Sequence, residues 1–222
     1  DGLSDLVVGQ PLHYPTWGTS HVFLHYGGSS ALSGTMAVSS ADATIQGTGS
    51  FDGFGDNVVL GDLTGDGYDD LLVSEVNRTG GYGEVFLFDG DATPLSGTMY
   101  PLSDATWSVQ GDGYNGQFGA RAVLGDVDTD GQLDLIVSEP WSHAEQSYGG
   151  EVFVFLGPIT SAPDVADAEM TIAGDESYGQ IGGNGLLSAD VNHDGADDIV
   201  VGEISGSDST GQASIFFGAL GM

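Results

Sequence analysis

The chain has 222 residues, enough for one large all-β domain or an array of repeats, and 38 of them are glycine. It holds 33 acidic residues against two arginines and no lysine, a formal charge of -31, so nucleic acid and anionic lipid headgroups are poor partners. The absence of cysteine excludes disulfides and thiolate metal sites. No apolar run approaches the ~18 residues of a membrane span, so direct membrane insertion is not expected.

Taken in chain order, Asp1 to Asp5 (DGLSD) reads as the second half of an acidic loop. It leads into an apolar run, LVVG at Leu6, and then a second, HVFLHYG at His21; ATIQG at Ala43 precedes the next unit. Phe54-Gly55 is followed by DLTGDGYDD (62–70), LLVS at Leu71, EVFLFDG and ATWSVQG at Ala105. Phe118-Gly119 is followed by DVDTDGQLD (126–134), LIVS at Leu135 and EVFVFLG. Ile181-Gly182, a weaker match, precedes DVNHDGADD (190–198), IVVG at Ile199 and ASIFFGA. The full acidic loops begin 64 residues apart (126 − 62 and 190 − 126), and the flanking segments keep that period.

These segments are short, rich in Val, Ile, Phe and Leu, and bounded by Gly, Asp or Pro, so they read as strands. Each full unit carries four, with the acidic loop between the first and second. Four-stranded units repeated radially are the logic of a β-propeller, and an almost wholly apolar second strand suits burial on both faces. The expected fold is therefore all-β, a propeller of four-stranded antiparallel blades, here about three and a half. Fourteen strands are expected in repeats at about 1–42 (partial), 43–104, 105–167 and 168–222 (partial). The first repeat lacks its first strand and the last its fourth. That leaves a fragment, or open edges that pair with another chain.

The acidic loops have the form D-x-[DN]-x-D-G-x-x-D. A hard cation such as Ca2+ needs six to eight oxygen ligands, and positions 1, 3 and 5 project side-chain oxygens into one tight loop. Position 7 can add its backbone carbonyl, and the aspartate at position 9 can close the site. The candidate ligands are Asp126, Asp128, Asp130, Gln132 and Asp134 in the best loop, and Asp190, Asn192, Asp194, Ala196 and Asp198 in the second. In the weakest, Asp62, Thr64, Asp66, Tyr68 and Asp70, the threonine offers only a neutral hydroxyl. About three calcium ions per chain follow from this count, plus an incomplete site at Asp1 and Asp5. An EF-hand is excluded because its twelfth position would be Val73, Val137 or Val201 rather than glutamate.

The Phe-Gly pairs, the aspartate loops and the Gly-x-Pro-like stretches Gly9-Gln10-Pro11 and Ser138-Glu139-Pro140 resemble the FG-GAP repeat family. Its members include the blades of integrin α-subunit propellers and bacterial surface proteins, and the lysine-free composition suits a bacterial extracellular member. Val76 and Ile204 depart from the pattern where proline is expected, and Ile181 departs where phenylalanine is. The resemblance implies a seven-bladed family form and partner binding on the face away from the calcium loops.

Loops between strands two and three carry Tyr14, Trp17, Tyr82, Trp141 and Tyr148 on that face, with Phe51, Tyr114 and Tyr178 in the adjoining loops. These aromatics either plug blade interfaces or anchor a ligand, for which Trp17, Tyr82, Trp141 and Tyr148 are the candidates. No nucleophile motif stands out, so no catalytic residue is assigned. The expected function is a secreted or cell-surface adhesion module, calcium-stabilised and non-catalytic, with a protein or glycan ligand. The alternatives are a structural subunit that self-associates through blade edges, or the propeller part of a secreted polysaccharide- or lipid-active enzyme.

Overall fold

The computed structural model describes residues 4–12, 18–28, 34–143, 145–204 and 210–218. Asp1, Tyr14 and Trp17 lie outside the described residues. The described residues form four sheets. The first contains β1 (Leu6–Gln10), β2 (His21–His25) and β3 (Ala43–Gln46). The second is the meander β4 (Phe54–Gly61), β5 (Asp70–Glu75), β6 (Glu84–Phe88) and β8 (Trp107–Gln110). The third is β9 (Arg121–Gly125), β10 (Asp134–Glu139), β11 (Glu151–Phe155) and β12 (Met170–Ala173). The fourth is β13 (Leu186–Ala189), β14 (Asp198–Glu203) and β15 (Gln212–Phe216).

One strand was not foreseen. β7 (Gly97–Met99) lies in the second repeat but pairs in parallel with β3, on the outer edge of the first sheet. The sequence does not mark it, because the same LSGTM stands at 32–36 and at 95–99, and residues 34–36 form no strand. The sheets also pair across the repeat boundaries at 43, 105 and 168. Ala43–Gln46, Trp107–Gln110 and Met170–Ala173 each pair with the sheet that precedes them. Hydrogen bonding to the third strand holds each segment back, whereas the sequence period alone leaves the cut arbitrary.

The strands that begin each sheet, β1, β4, β9 and β13, are neighbours in that order, which is the radial arrangement of propeller blades. Three apolar cores fill the spaces between successive sheets. β5 and β10 are buried along their whole length, as strands covered on both faces must be. The outer surfaces of the first and last sheets leave Leu6, Val8, Leu187, Ile215 and Phe217 exposed.

The Phe-Gly pair explains how the sheets meet. Phe54 and Phe118 are fully buried, each against a phenylalanine, Phe86 and Phe153 respectively. The following glycine has positive φ (85° at Gly55, 86° at Gly119, 77° at Gly182) and touches the preceding sheet. A Cβ on Gly119 would lie 2.9 Å from both Ser74 Cβ and Val85 Cγ2. Ile181 fills the phenylalanine's place at lower volume and stays buried, so the weakened motif still closes its interface.

Phe118→Ala should cost about 3–5 kcal/mol, because the emptied space lies between two sheets that cannot both collapse into it. Denaturant unfolding in calcium-containing buffer reads this, with exposed Leu102→Ala as a near-neutral control.

Candidate functional site

The three full acidic loops share one backbone path. Position 4 is left-handed in each (Gly65, Thr129 and His193), and so is the position-6 glycine, at φ 94° in Gly67, 87° in Gly131 and 99° in Gly195. The first aspartate turns its carboxylate back onto the loop's own amides. Asp62 accepts from Gly65, Asp66 and Gly67, and Asp190 accepts from His193, Asp194 and Gly195. Position 5 accepts the amide of position 7: Tyr68 to Asp66, Gln132 to Asp130, Ala196 to Asp194. Tyr68 is exposed, Gln132 half-buried and Ala196 buried.

The middle loop differs from its neighbours. Asp126, Asp128 and Asp130 each direct one carboxylate oxygen into a common space, all within 4.8 Å of one another. Asp126 Oδ2 accepts from Gly131, but its Oδ1 is buried with no hydrogen-bond partner among the described residues. Three converging anionic oxygens, one of them orphaned, fit a hard divalent cation. In the loop at 62–70, Thr64 instead points its hydroxyl at Asp89 Oδ1, 3.4 Å away. In the loop at 190–198, the Asn192 amide donates to Asp194 Oδ2 at 2.9 Å. Among the described residues, three carboxylate oxygens converge in the middle loop alone, whose third residue is an aspartate.

The position-9 aspartates do something sequence reasoning missed. Asp70, Asp134 and Asp198 are fully buried, and both oxygens of each are taken by backbone amides. Oδ2 accepts from position 2 of the loop: Leu63, Val127 and Val191. Oδ1 accepts from a glycine just beyond the third strand: Gly90, Gly157 and Gly218. Asp5, though exposed, makes the same bond to Gly27 N at 2.7 Å. The signal was in the sequence, since HYG, FDG, FLG and FFG all end the third strand in glycine. A Cβ on Gly90, Gly157 or Gly218 would collide with the carbonyl oxygen of the residue before the aspartate. Burial pushes the Asp134 carboxyl up to about 6; the Gly157 and Val127 bonds oppose this, and Asp128 and Asp126 add to it.

On the opposite face the aromatic loops meet. Tyr82 packs edge-on against Tyr114, with ring centres 5.8 Å apart. Trp141 meets Tyr148 at 5.6 Å, and Tyr148 meets Tyr178 at 5.4 Å and His143 at 4.1 Å. Tyr114 and Tyr178 are largely exposed, whereas Tyr82, Trp141 and Tyr148 are half-buried. Beside them, a cavity of about 300 Å³ is lined by Asn77, Gln117, Arg121, Trp141, Gln180 and Asn184. Val76, Pro140 and Ile204 also line it, so the residues that break the proline pattern occupy the proline's place in the same wall.

A second recurrence also went unread. Glu75, Glu139 and Glu203 each end the second strand of their sheet, 64 residues apart, and all three are buried. Glu75 accepts from the Thr48 amide and hydroxyl and from Arg78. Burial pushes its carboxyl up to about 7; the Thr48 bond opposes this, nearby Asp52 adds to it, and Arg78 opposes it.

The FG-GAP repeat model matches residues 118–155, the stretch that holds Phe118-Gly119 and the middle loop. Bovine phosphatidylinositol-glycan-specific phospholipase D is 33% identical over 155 residues, which is 64% of this chain and 17% of that protein. Integrin alpha pat-2 of Caenorhabditis briggsae is 30% identical over 173 residues, 72% of this chain and 13% of its own length. Mouse integrin alpha-IIb is 32% identical over 147 residues, 62% of this chain and 13% of the integrin. The chain thus spans no more than about a fifth of the length of these curated relatives.

Asp134→Ala should cost roughly 2–4 kcal/mol even in chelator, since it leaves two inward-facing amides unpaired. Exposed Asp130→Ala should cost well under that, which separates the structural aspartate from the loop aspartates in chelator-treated unfolding curves. The raised Glu75 carboxyl has a definite sign. Its folded pKa, about 7, lies above the unfolded value near 4.3, so the folded state binds the extra proton between those limits. Stability it contributes is present below about pH 4 and lost as pH rises through about 7. The chelated chain should therefore unfold at lower denaturant at pH 8 than at pH 5, and Glu75→Gln should flatten that difference.

Proposed function

We propose that this integrin-like chain of FG-GAP repeats is an extracellular, calcium-stabilised binding module that takes a protein or glycan ligand on the face opposite its acidic loops. The convergence of Asp126, Asp128 and Asp130 around an orphaned buried oxygen carries the calcium part of this reading. The ion supplies positive charge where loop folding has gathered carboxylates, and so holds the link between the first and second strands of the blade. Asp126 is also tied to the next sheet, donating its amide to Asp197 Oδ2 and accepting from Asp197 N. A cation there stiffens the contact between two blades as well as one loop.

The ligand face rests on two aromatic clusters, Tyr82 with Tyr114 and Trp141 with Tyr148 and Tyr178, and on the cavity that Trp141 lines. Half-buried aromatics on rigidly held loops offer large contact area at small entropic cost. The adhesion role and the extracellular location draw on the likeness to integrin alpha subunits. The likeness to phosphatidylinositol-glycan-specific phospholipase D favours a second reading, a propeller carried by a secreted lipid-active enzyme. The exposed apolar residues Leu187, Ile215 and Phe217 favour a third, assembly through the open sheet surfaces.

Calcium at a hundredfold excess over its dissociation constant should stabilise the chain by about 2.7 kcal/mol per site, and Asp128→Ala should lose one such increment. Arrays of matrix proteins and glycans, probed with and without calcium, should give a signal that Trp141→Ala weakens by about 30-fold. A signal indifferent to both calcium and Trp141 would sink the adhesion reading. Hydrolysis of a phosphatidylinositol-glycan by the chain itself would favour the enzyme, and a light-scattering mass above 22.7 kDa the assembly.

A further inference from the structure

The cavity that Trp141 lines has a wall unlike the acidic surface around it. Four side-chain amides, those of Asn77, Gln117, Gln180 and Asn184, belong to it, and its charged residues, Arg121 and Asp56, have opposite signs. Among the described residues Arg121 makes no ion pair; its guanidinium donates to Ala120 O at 2.8 Å. The Gln117 amide donates to Asn77 Oδ1 at 3.5 Å, and Asn77 Nδ2 donates to Phe51 O at 3.2 Å. Gln180 and Asn184 have no side-chain hydrogen-bond partner among the described residues.

Two of these amides are held there at a cost. Gln117 precedes Phe118-Gly119 and Gln180 precedes Ile181-Gly182, and both have positive φ, 59° and 51°. The same place in the second sheet, before Phe54-Gly55, is Gly53, with φ 69°. Main-chain bonds fix the turn in all three sheets: Asp56 N donates to Gly53 O, Ala120 N to Gln117 O, and Gly183 N to Gln180 O. Glycine takes this left-handed path freely, whereas a glutamine is strained by it, and such strain collects at ligand sites. The turn itself therefore does not call for glutamine; the cavity does.

We propose that this cavity takes one uncharged sugar ring, so that the ligand of the chain is a neutral glycan; this rests on the proposed ligand face. Primary amides both donate and accept, as sugar hydroxyls do, so neighbouring hydroxyls can bridge two of them. The indole of Trp141 offers an apolar surface to the C–H groups of the ring. A volume of about 300 Å³ is at the small end for ligand cavities and gives room for one ring. A wall balanced in sign gives a charged ligand no net partner, and the formal charge of -31 repels an acidic glycan.

An array of neutral hexose and N-acetylhexosamine oligosaccharides tests it, probed with the whole chain in calcium beside sialylated glycans, uronic-acid glycans and matrix proteins. Neutral glycans should bind. Gln180→Gly and Asn184→Ala should each weaken that binding about tenfold, as loss of one good hydrogen bond does. Gln180→Gly should also unfold at no lower denaturant than the parent, because glycine already serves this turn in the second sheet. Binding confined to acidic glycans or matrix proteins overturns the inference, and so does neutral-glycan binding that neither variant weakens. The ligand-face reading fails separately, through a signal that Trp141→Ala leaves unchanged.

Discussion

Three buried aspartates, with a fourth in the first sheet, hold the blade together at its acidic end. Each of the three joins three pieces of chain, namely the start of the second strand that carries it, the acidic loop before it and the glycine after the third strand, and Asp5 makes the last of these bonds. A carboxylate has lone pairs enough for two or more amides, and an amide left unpaired in the interior is costly. The loop therefore cannot swing away without breaking bonds in the body of the sheet. That constraint presents the loop's first, third and fifth side chains to one point of space.

The same bond sets the other end of the blade. With the second and third strands clamped at one end, their pairing register places glutamate opposite glutamate at the far end. Regular repetition thus imposes an electrostatic problem that the second sheet answers with the Arg78 guanidinium and the fourth with the neutral Gln212 amide. The blade's two ends are coupled through β5, β10 and β14, whose first residue is the clamping aspartate and whose last is the buried glutamate.

Between the sheets, apolar packing governs. The Phe-Gly pair brings a ring into the preceding interface and removes the side chain that would hold the two sheets apart. With -31 formal charge, the chain keeps its acid on the loops and rims, and the exceptions in the interior are bonded to amides, hydroxyls or Arg78. The glutamate oxygens at positions 139 and 203 that lack such partners among the described residues are therefore departures from the molecule's own rule.

Much was legible in advance because a period of 64 residues is a statement about structure. Alternating apolar runs and Asp-Gly turns suffice for strands, blades and loop positions. β7 was illegible because the LSGTM that supplies it also stands at 32–36, where residues 34–36 form no strand, and because its pairing with β3 is a contact between repeats. The role of Asp134 was half legible. Its place in the loop pattern suggested a ligand, but the amides that claim its oxygens come from Val127 and from Gly157, 23 residues away. The buried glutamates recur as plainly as the loops, yet an acidic residue after an apolar strand reads as exposed until its neighbours are known.

By itself the sequence determined the repeat, the strand order within a blade and the loops able to gather oxygen, since these follow from local spacing and turn chemistry. Only the tertiary structure decided which carboxylates converge, which are consumed by backbone amides and which are left without partners. Those outcomes depend on burial and on groups brought together from different strands, and no local pattern encodes them.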